Sequence, residues 1–372
     1  MKKLRDPDED IRLHCLSKLL EFAQGNLIGF SKSAIDELCD RVKDKKIEVR
    51  KMALTGIARL YFKYISSKLG KISDVRSSKT EDITETISPE ILDRLANIPG
   101  VILKSWGYPD FPTKHLVIVL VQEYLIPKSL ADFQETKENK VEYEETLSEV
   151  RSSALLLLFS LMKDEVEKVS FNAILNFKSR VADEIGNFLR VKSSRGNGGS
   201  RSSGSFGGSQ SDDSERLPEL RQALYNLSVL IPISDRKPTA FDKLITNKDK
   251  FILKILEGCI GVKDSIQVGL KRKEELQRRL DSKSLLGEYF GVVYDCAAHF
   301  LFDSSIVQNL LETLVDSKSS LPTIELANML AFVAKACPKV INCLFFPYLF
   351  SVIFTLVRLS LTPQNYYQHG SI

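Results

Sequence analysis

Residues 4 to 22 and 42 to 60 align on each other without a gap, and this internal repeat constrains the fold more than any other feature of the chain. Asp6 falls on Asp44, Ile11 on Val49, Arg12 on Arg50, Leu16 on Leu54, Leu19 on Ile57 and Phe22 on Leu60. The shared string is D-x-x-x-x-[IV]-R, followed by apolar residues at helical spacing. One such string carries little information. Two in register, with matched apolar positions, describe a repeated unit too small to bury its own apolar face, so each copy must stack on a neighbour. A looser copy places Glu145, Val150 and Arg151 ahead of the apolar run Ala154 to Met162, with an acidic residue in place of the aspartate.

The spacing predicts contacts. Asp6 and Asp44 cap the turn before a helix by accepting a backbone N–H bond. The β-branched residue packs inward, and the arginine reaches the acidic turn residue of a neighbouring repeat. Asp6, Arg12, Asp44 and Arg50 are thus expected to form a structural ladder between repeats. Helices are expected at Asp8 to Phe22, Ser33 to Val42 and Lys46 to Tyr64, joined by turns short enough to make antiparallel hairpins. No stretch sustains the period-two alternation of a strand. The fold class is all-α, and the D-x-x-x-x-V-R pattern at this period resembles the HEAT repeat, so a HEAT-type α-solenoid of stacked antiparallel helix pairs is expected.

Composition divides this solenoid. N-terminal repeats occupy 1–65, a polar insert 66–88 and further helical repeats 89–192. A serine- and glycine-dominated stretch at 193–214 reads as a disordered linker. Helical repeats return over 215–358 and a tail covers 359–372. Gly196, Gly198 and Gly199 superficially resemble a phosphate-cradling loop, but no strand precedes them and no helix follows promptly. The uncharged run from Val340 to Val357 approaches the length of a membrane span; Pro347 and the polar residues Asn342, Ser351 and Thr355 favour a buried terminal hairpin instead.

With 52 basic and 48 acidic residues the net charge of +4 is too small to make the whole chain a nucleic-acid binder. Any basic surface must be local. Six cysteines without a C-x-x-C pair suggest reduced, intracellular core residues rather than a zinc module or a disulfide framework. Behind the N-terminal basic residues there is no apolar stretch of the kind a secretion signal needs.

With the repeats placed, KDKKIEVRKMALTGIARLYFKY (43–64) is similar to a signature stretch of a chromosomal family, the cohesin-associated regulators named for precocious dissociation of sisters. RDPDEDIRLHCLSKLLEFA (5–23) resembles the family's preceding repeat, and KHLVIVLVQEYLIPKSL (114–130) its helix ending in a Tyr-Leu-Val/Ile-Pro element. Residues 284–314 are similar in pattern but looser. The likeness runs over roughly residues 4 to 335 and departs from the family at the serine-glycine stretch and after about Lys339. Family members are much longer, so the chain resembles an internal piece of their solenoid. The resemblance implies a nuclear, chromosome-associated scaffold in sister chromatid cohesion, one that binds the kleisin subunit of cohesin and recruits release and protection factors. It implies no catalysis and no cofactor. It leaves direct DNA contact open and gives no reason to expect a membrane. The repeat alone also fits a generic HEAT adaptor of the nuclear-transport or phosphatase-scaffold type.

A helical enzyme is the third reading, and the residue inventory disfavours it. Asp295, Cys296 and His299 imitate a catalytic group, but their surroundings, EYFGVVYDCAAHFLF, are apolar and favour packed side chains. The acidic pairs Glu144 with Glu145 and Glu274 with Glu275 sit among basic residues, as solvated helix faces do. Two basic clusters remain. Arg41, Lys43, Lys45, Lys46 and Lys51, beside Arg50, lie near one inter-helix turn; a solenoid presents successive turns along one edge, so they make a candidate ridge for phosphates or an acidic peptide. Lys271, Arg272, Lys273, Arg278 and Arg279 are interleaved with Glu274, Glu275 and Asp281, which partly neutralise them.

Overall fold

A computed structural model of the chain describes residues 2–71, 87–129, 140–193, 211–232, 256–257, 274–275, 278, 285–297 and 304–315. Among the described residues the regular elements are helical and no strand occurs. Helix α1 spans Glu9–Gly25, and the Asp8 carboxylate caps it by accepting the amides of Asp10 and Ile11. Glu9 and Asp10 in its first turn suit the positive end of the helix. It runs past the expected end at Phe22, to where the Asn26 amide bonds the Phe22 carbonyl. Tyr64 and Lys63 then donate to the Gln24 carbonyl that the helix end leaves open, at 2.9 and 2.7 Å. Helix α2 (Lys32–Asp40) starts at Ser31, whose hydroxyl accepts the Ala34 amide. A 3-10 turn at Arg41–Lys43 leads into α3 (Ile47–Tyr64).

Two short helices follow, α4 (Pro89–Leu95) and α5 (Ile98–Lys104), each with proline in its first turn, where a missing N–H removes no helical bond. Asp110 caps α6 (Phe111–Leu120) by accepting the Thr113 amide. A π-helical turn at Val121–Leu125 closes with the Ile126 amide on the Val121 carbonyl. Helix α7 (Lys140–Leu161) precedes α8 (Glu165–Ser193). Asp164 and Glu167 form a reciprocal cap at the start of α8: Asp164 accepts the Val166 amide while Glu167 accepts those of Lys163 and Asp164. The remaining helices are α9 (Ser211–Leu230), α10 (Leu285–Ala297) and α11 (Ser304–Val315).

The helices stack progressively. α1 lies on α3, α3 on α5 and α6, α8 on α5 and α10, α9 on α8, and α11 on α7. One contiguous apolar core runs through them, from Leu4, Leu16 and Leu20 through Val49, Leu54 and Ile57 to Val293 and Leu310. The α1–α3 contact is close because Gly56 has no side chain: a Cβ there would stand 2.2 Å from Leu20 Cδ1.

Four sequence expectations change. Val49 is buried, but its counterpart Ile11 is 39% exposed and does not pack inward. The face of α3 carrying Val49 has neighbouring helices, whereas the matching face of α1, with Phe22, looks into solvent. Glu145 is not a turn residue. It is exposed within α7, because the segment around it continues the helix; Arg151 donates to the Pro127 carbonyl at 2.8 Å. The polar insert gives up its edges: Ser66–Lys71 form a 3-10 turn in which Ser66 and Leu69 are buried, and Ile87 is buried as well. The serine-glycine stretch is trimmed likewise, since Ser193 ends α8 and Ser211 to Ser214 begin α9. Residues 72–86 and 194–210, the run 340–357 and the tail lie outside the described residues. No helix among the described residues is long and apolar enough to cross a membrane.

Candidate functional site

The repeated aspartates and arginines meet along one edge of the stack. Arg12 donates from Nε to Asp44 Oδ2 at 2.9 Å and from Nη2 to Asp44 Oδ1 at 3.0 Å, a two-pronged guanidinium–carboxylate pair. Its Nη1 grips the main-chain carbonyls of Asp6 and Pro7. Arg50 repeats the grip one unit on, with Nη1 on the carbonyls of Asp44 and Lys45 and Nη2 on Asp110 Oδ2 at 3.0 Å. Its guanidinium also lies 4.9 Å from the centre of the Tyr108 ring. Asp44 therefore serves two arginines, through its carboxylate and through its carbonyl. Its Oδ1 also accepts the Lys46 amide, as Asp6 Oδ1 accepts that of Asp8.

Electrostatics follow from these contacts. Burial pushes the Asp44 carboxyl up, but the hydrogen bonds from Arg12 and the Lys46 amide, with the charges of Arg12 and Arg41, hold it below the usual carboxylate value. Asp110 is lowered in the same way: the Thr113 bonds and the Arg50 charge outweigh burial. At Asp6 the bonds from Lys3 and the Asp8 amide lower the carboxyl.

Asp110 is a ladder acceptor that the repeat string misses. The position six residues on is Leu116 rather than arginine, so no string search finds it. The available signal is an aspartate standing two residues before a proline at a helix start.

The candidate ridge is laced with acids. Lys43 lies 3.8 Å from Asp40, Lys46 pairs with Glu9 at 3.1 Å and Lys51 with Glu48 at 2.9 Å. Arg41 donates to the Leu4 carbonyl and stands 4.0 Å from Asp44. Lys45 is exposed and has no ion pair among the described residues. The edge thus alternates sign, with Lys45 its freest cation.

Of the residues that imitate a catalytic group, Asp295 and Cys296 are described. Burial pushes the Cys296 thiol up to about 12, which keeps it protonated and poorly nucleophilic. Asp295 Oδ2 lies 3.3 Å from His115 Nε2, on another helix, and His299 is outside the described residues. Glu144 pairs with Lys140 one helical turn away. No group of three or more metal-ligating side chains occurs among the described residues. In the second basic cluster only Arg278 is described.

Comparison with known proteins supplies the family. The family described as "Sister chromatid cohesion protein PDS5 protein" matches residues 1–344. The sister chromatid cohesion protein PDS5 homolog A of Arabidopsis thaliana is 23% identical over 372 residues, covering 92% of this chain and 21% of the relative. A solved structure of a Pds5–Scc1 complex aligns with TM-score 0.65 and 16% identity, over 94% of this chain and 46% of the matched one. The chain therefore spans about a fifth of the length of its plant relative. Its fold is that of the helical-repeat structure it matches, and the chain belongs to the PDS5 family of sister chromatid cohesion proteins.

Proposed function

We propose that this chain is a non-enzymatic helical scaffold that binds the kleisin subunit of cohesin and acts with release and protection factors in sister chromatid cohesion on nuclear chromosomes. The observation that carries the reading is the family match over residues 1–344. Likeness to a Pds5 solved together with Scc1 supports kleisin as the first partner. The charge-alternating edge supplies a mode of contact, because a row of charges around Lys45, which has no ion pair among the described residues, favours a segment of complementary sign and steers its approach.

Two measurements test this. Affinity capture from nuclear extract at low salt should recover cohesin subunits; their absence overturns the reading, and recovery of transport or phosphatase subunits instead would favour a generic adaptor. Titration of a kleisin peptide and of duplex DNA against wild type and the Lys45→Glu/Lys46→Glu variant, each at two salt concentrations, locates the contact. A kleisin contact at this edge weakens by roughly tenfold at low salt and by less at high salt. Unchanged affinity at both concentrations removes the edge from the binding surface.

A further inference from the structure

The turn from α5 into α6 brings aromatic side chains to the edge that holds the ladder. Trp106, in the 3-10 turn at Ser105–Gly107, is half-buried, with its ring tilted 63° to that of Phe177 of α8 and 5.4 Å between centres. The Lys114 ammonium lies 5.6 Å from the centre of the Trp106 ring. Tyr108, also half-buried, lies under Arg50, which ties this turn to the one carrying Lys45 through the Lys45 carbonyl and Asp110. Four polar groups on this strip have no hydrogen-bond or ion-pair partner among the described residues: the Trp106 indole N–H, the Tyr108 hydroxyl and the ammoniums of Lys45 and Lys114. None of them is sealed from solvent. All four can donate, whereas the neighbouring carboxylates of Asp44 and Asp110 are already engaged by arginines.

We propose that this strip is the docking surface for a short acidic peptide segment with apolar side chains, its carboxylates on Lys45 and Lys114 and its carbonyls on the Trp106 and Tyr108 donors. The proposal rests on the edge being a binding surface, as proposed above, and adds the aromatic anchors and the sign of the partner. Rings that are apolar on one side and carry an open polar end on the other suit a contact surface, where area is buried and the polar end finds a partner. An excess of donors asks for a partner rich in acceptors, and two cations without counter-ions set its charge. A nucleic-acid strand fits less well. Its affinity comes from many phosphate contacts, on the order of six to ten, and two such lysines supply few of them. One face of each ring is also already covered by a cation, which leaves less ring for a base to stack on.

Fluorescence anisotropy on the full chain tests the surface, with three labelled probes: a short peptide of glutamates around two phenylalanines, its lysine counterpart, and an oligothymidylate of the same length. Emission of Trp106, the chain's one tryptophan, reads the contact directly with the unlabelled peptide. The acidic peptide should bind and shift that emission, and the other two probes should bind about tenfold more weakly or worse. Lys114→Glu should weaken the acidic peptide about tenfold at low salt and less at high salt. Tyr108→Phe and Trp106→Phe, which keep a ring and remove the donor, should each weaken it about threefold or more. The exposed control Lys168→Ala should stay within about twofold. If Trp106→Phe disturbs folding, as read by circular dichroism, Tyr108→Phe and Lys114→Glu decide. No binding of the acidic peptide, equal or tighter binding of either other probe, or unchanged affinity in these variants overturns the proposal. A kleisin peptide weakened by Lys45→Glu/Lys46→Glu but not by the Tyr108 and Lys114 variants would overturn it while leaving the edge itself a binding surface.

Discussion

Replacing Arg12 by alanine removes two charge-assisted bonds to Asp44 and two bonds to turn carbonyls. It also leaves a carboxylate whose side chain is 6% exposed without its main counter-charge. Breaking one side of a well-buried pair costs about 3 to 5 kcal/mol. Here Asp44 keeps the Lys46 amide and has Arg41 at 4.0 Å, which lowers the expectation to about 2 to 4 kcal/mol. Asp44→Ala should cost about 2 kcal/mol, because Arg12 retains the carbonyls of Asp6 and Pro7. The double variant should fall short of the sum by about 1 to 3 kcal/mol, the coupling of the pair. Urea unfolding followed by circular dichroism measures the cycle, and hydrogen exchange assigns the loss to residues 9–64. Coupling below about 0.5 kcal/mol would refute the rung as a stabilising contact, whatever its geometry.

Acid should dissolve the same rung. Asp44 titrates below its unfolded value, so its contribution is fully present above the ordinary carboxyl pKa of about 4 and is lost as pH falls through the folded value. The stability gap between wild type and Asp44→Asn should be flat from about pH 7 to 5 and close below about pH 4; a gap that widens with acid would contradict the assignment. Arg50→Ala should cost about 1 to 3 kcal/mol through the lost Asp110 bond and its stacking on Tyr108, while Lys45→Ala stays within about 0.5 kcal/mol; matching melting curves would dismiss the second rung. Gly56→Ala should destabilise by about 1 to 3 kcal/mol despite better helix propensity, because the new methyl meets Leu20 at 2.2 Å; adding Leu20→Ala should recover part of the Gly56→Ala loss, and a failure to do so would place the strain elsewhere.

What the sequence determined by itself is whatever repeats or is local. Helicity, the stacked architecture and the turn aspartates follow from apolar spacing and from a string that recurs at one period, because each helix pair needs only its neighbour to be complete. The contacts of Asp44 with Arg12 on one side and Arg50 on the other lie within that range, and the family resemblance rests on the same stretches. Tertiary structure decided the rest. Asp110 joins the ladder from 60 residues beyond Arg50, with no arginine of its own to advertise it. Ile11 occupies the position of buried Val49 and stays exposed, since identical periodicity does not reveal whether a neighbour covers the face. Of the acids that pair with the ridge lysines, Asp40 and Glu48 stand three residues from Lys43 and Lys51 and are legible as local neighbours, whereas Glu9 is an ordinary surface residue until the turns set it beside Lys46. Lys178 reads as one more helix lysine until Asp295, 117 residues away, presents a carbonyl to it. Periodicity records which way a side chain faces on its own helix; the partner on that side is chosen by packing between segments far apart in the chain, where no local pattern carries the information.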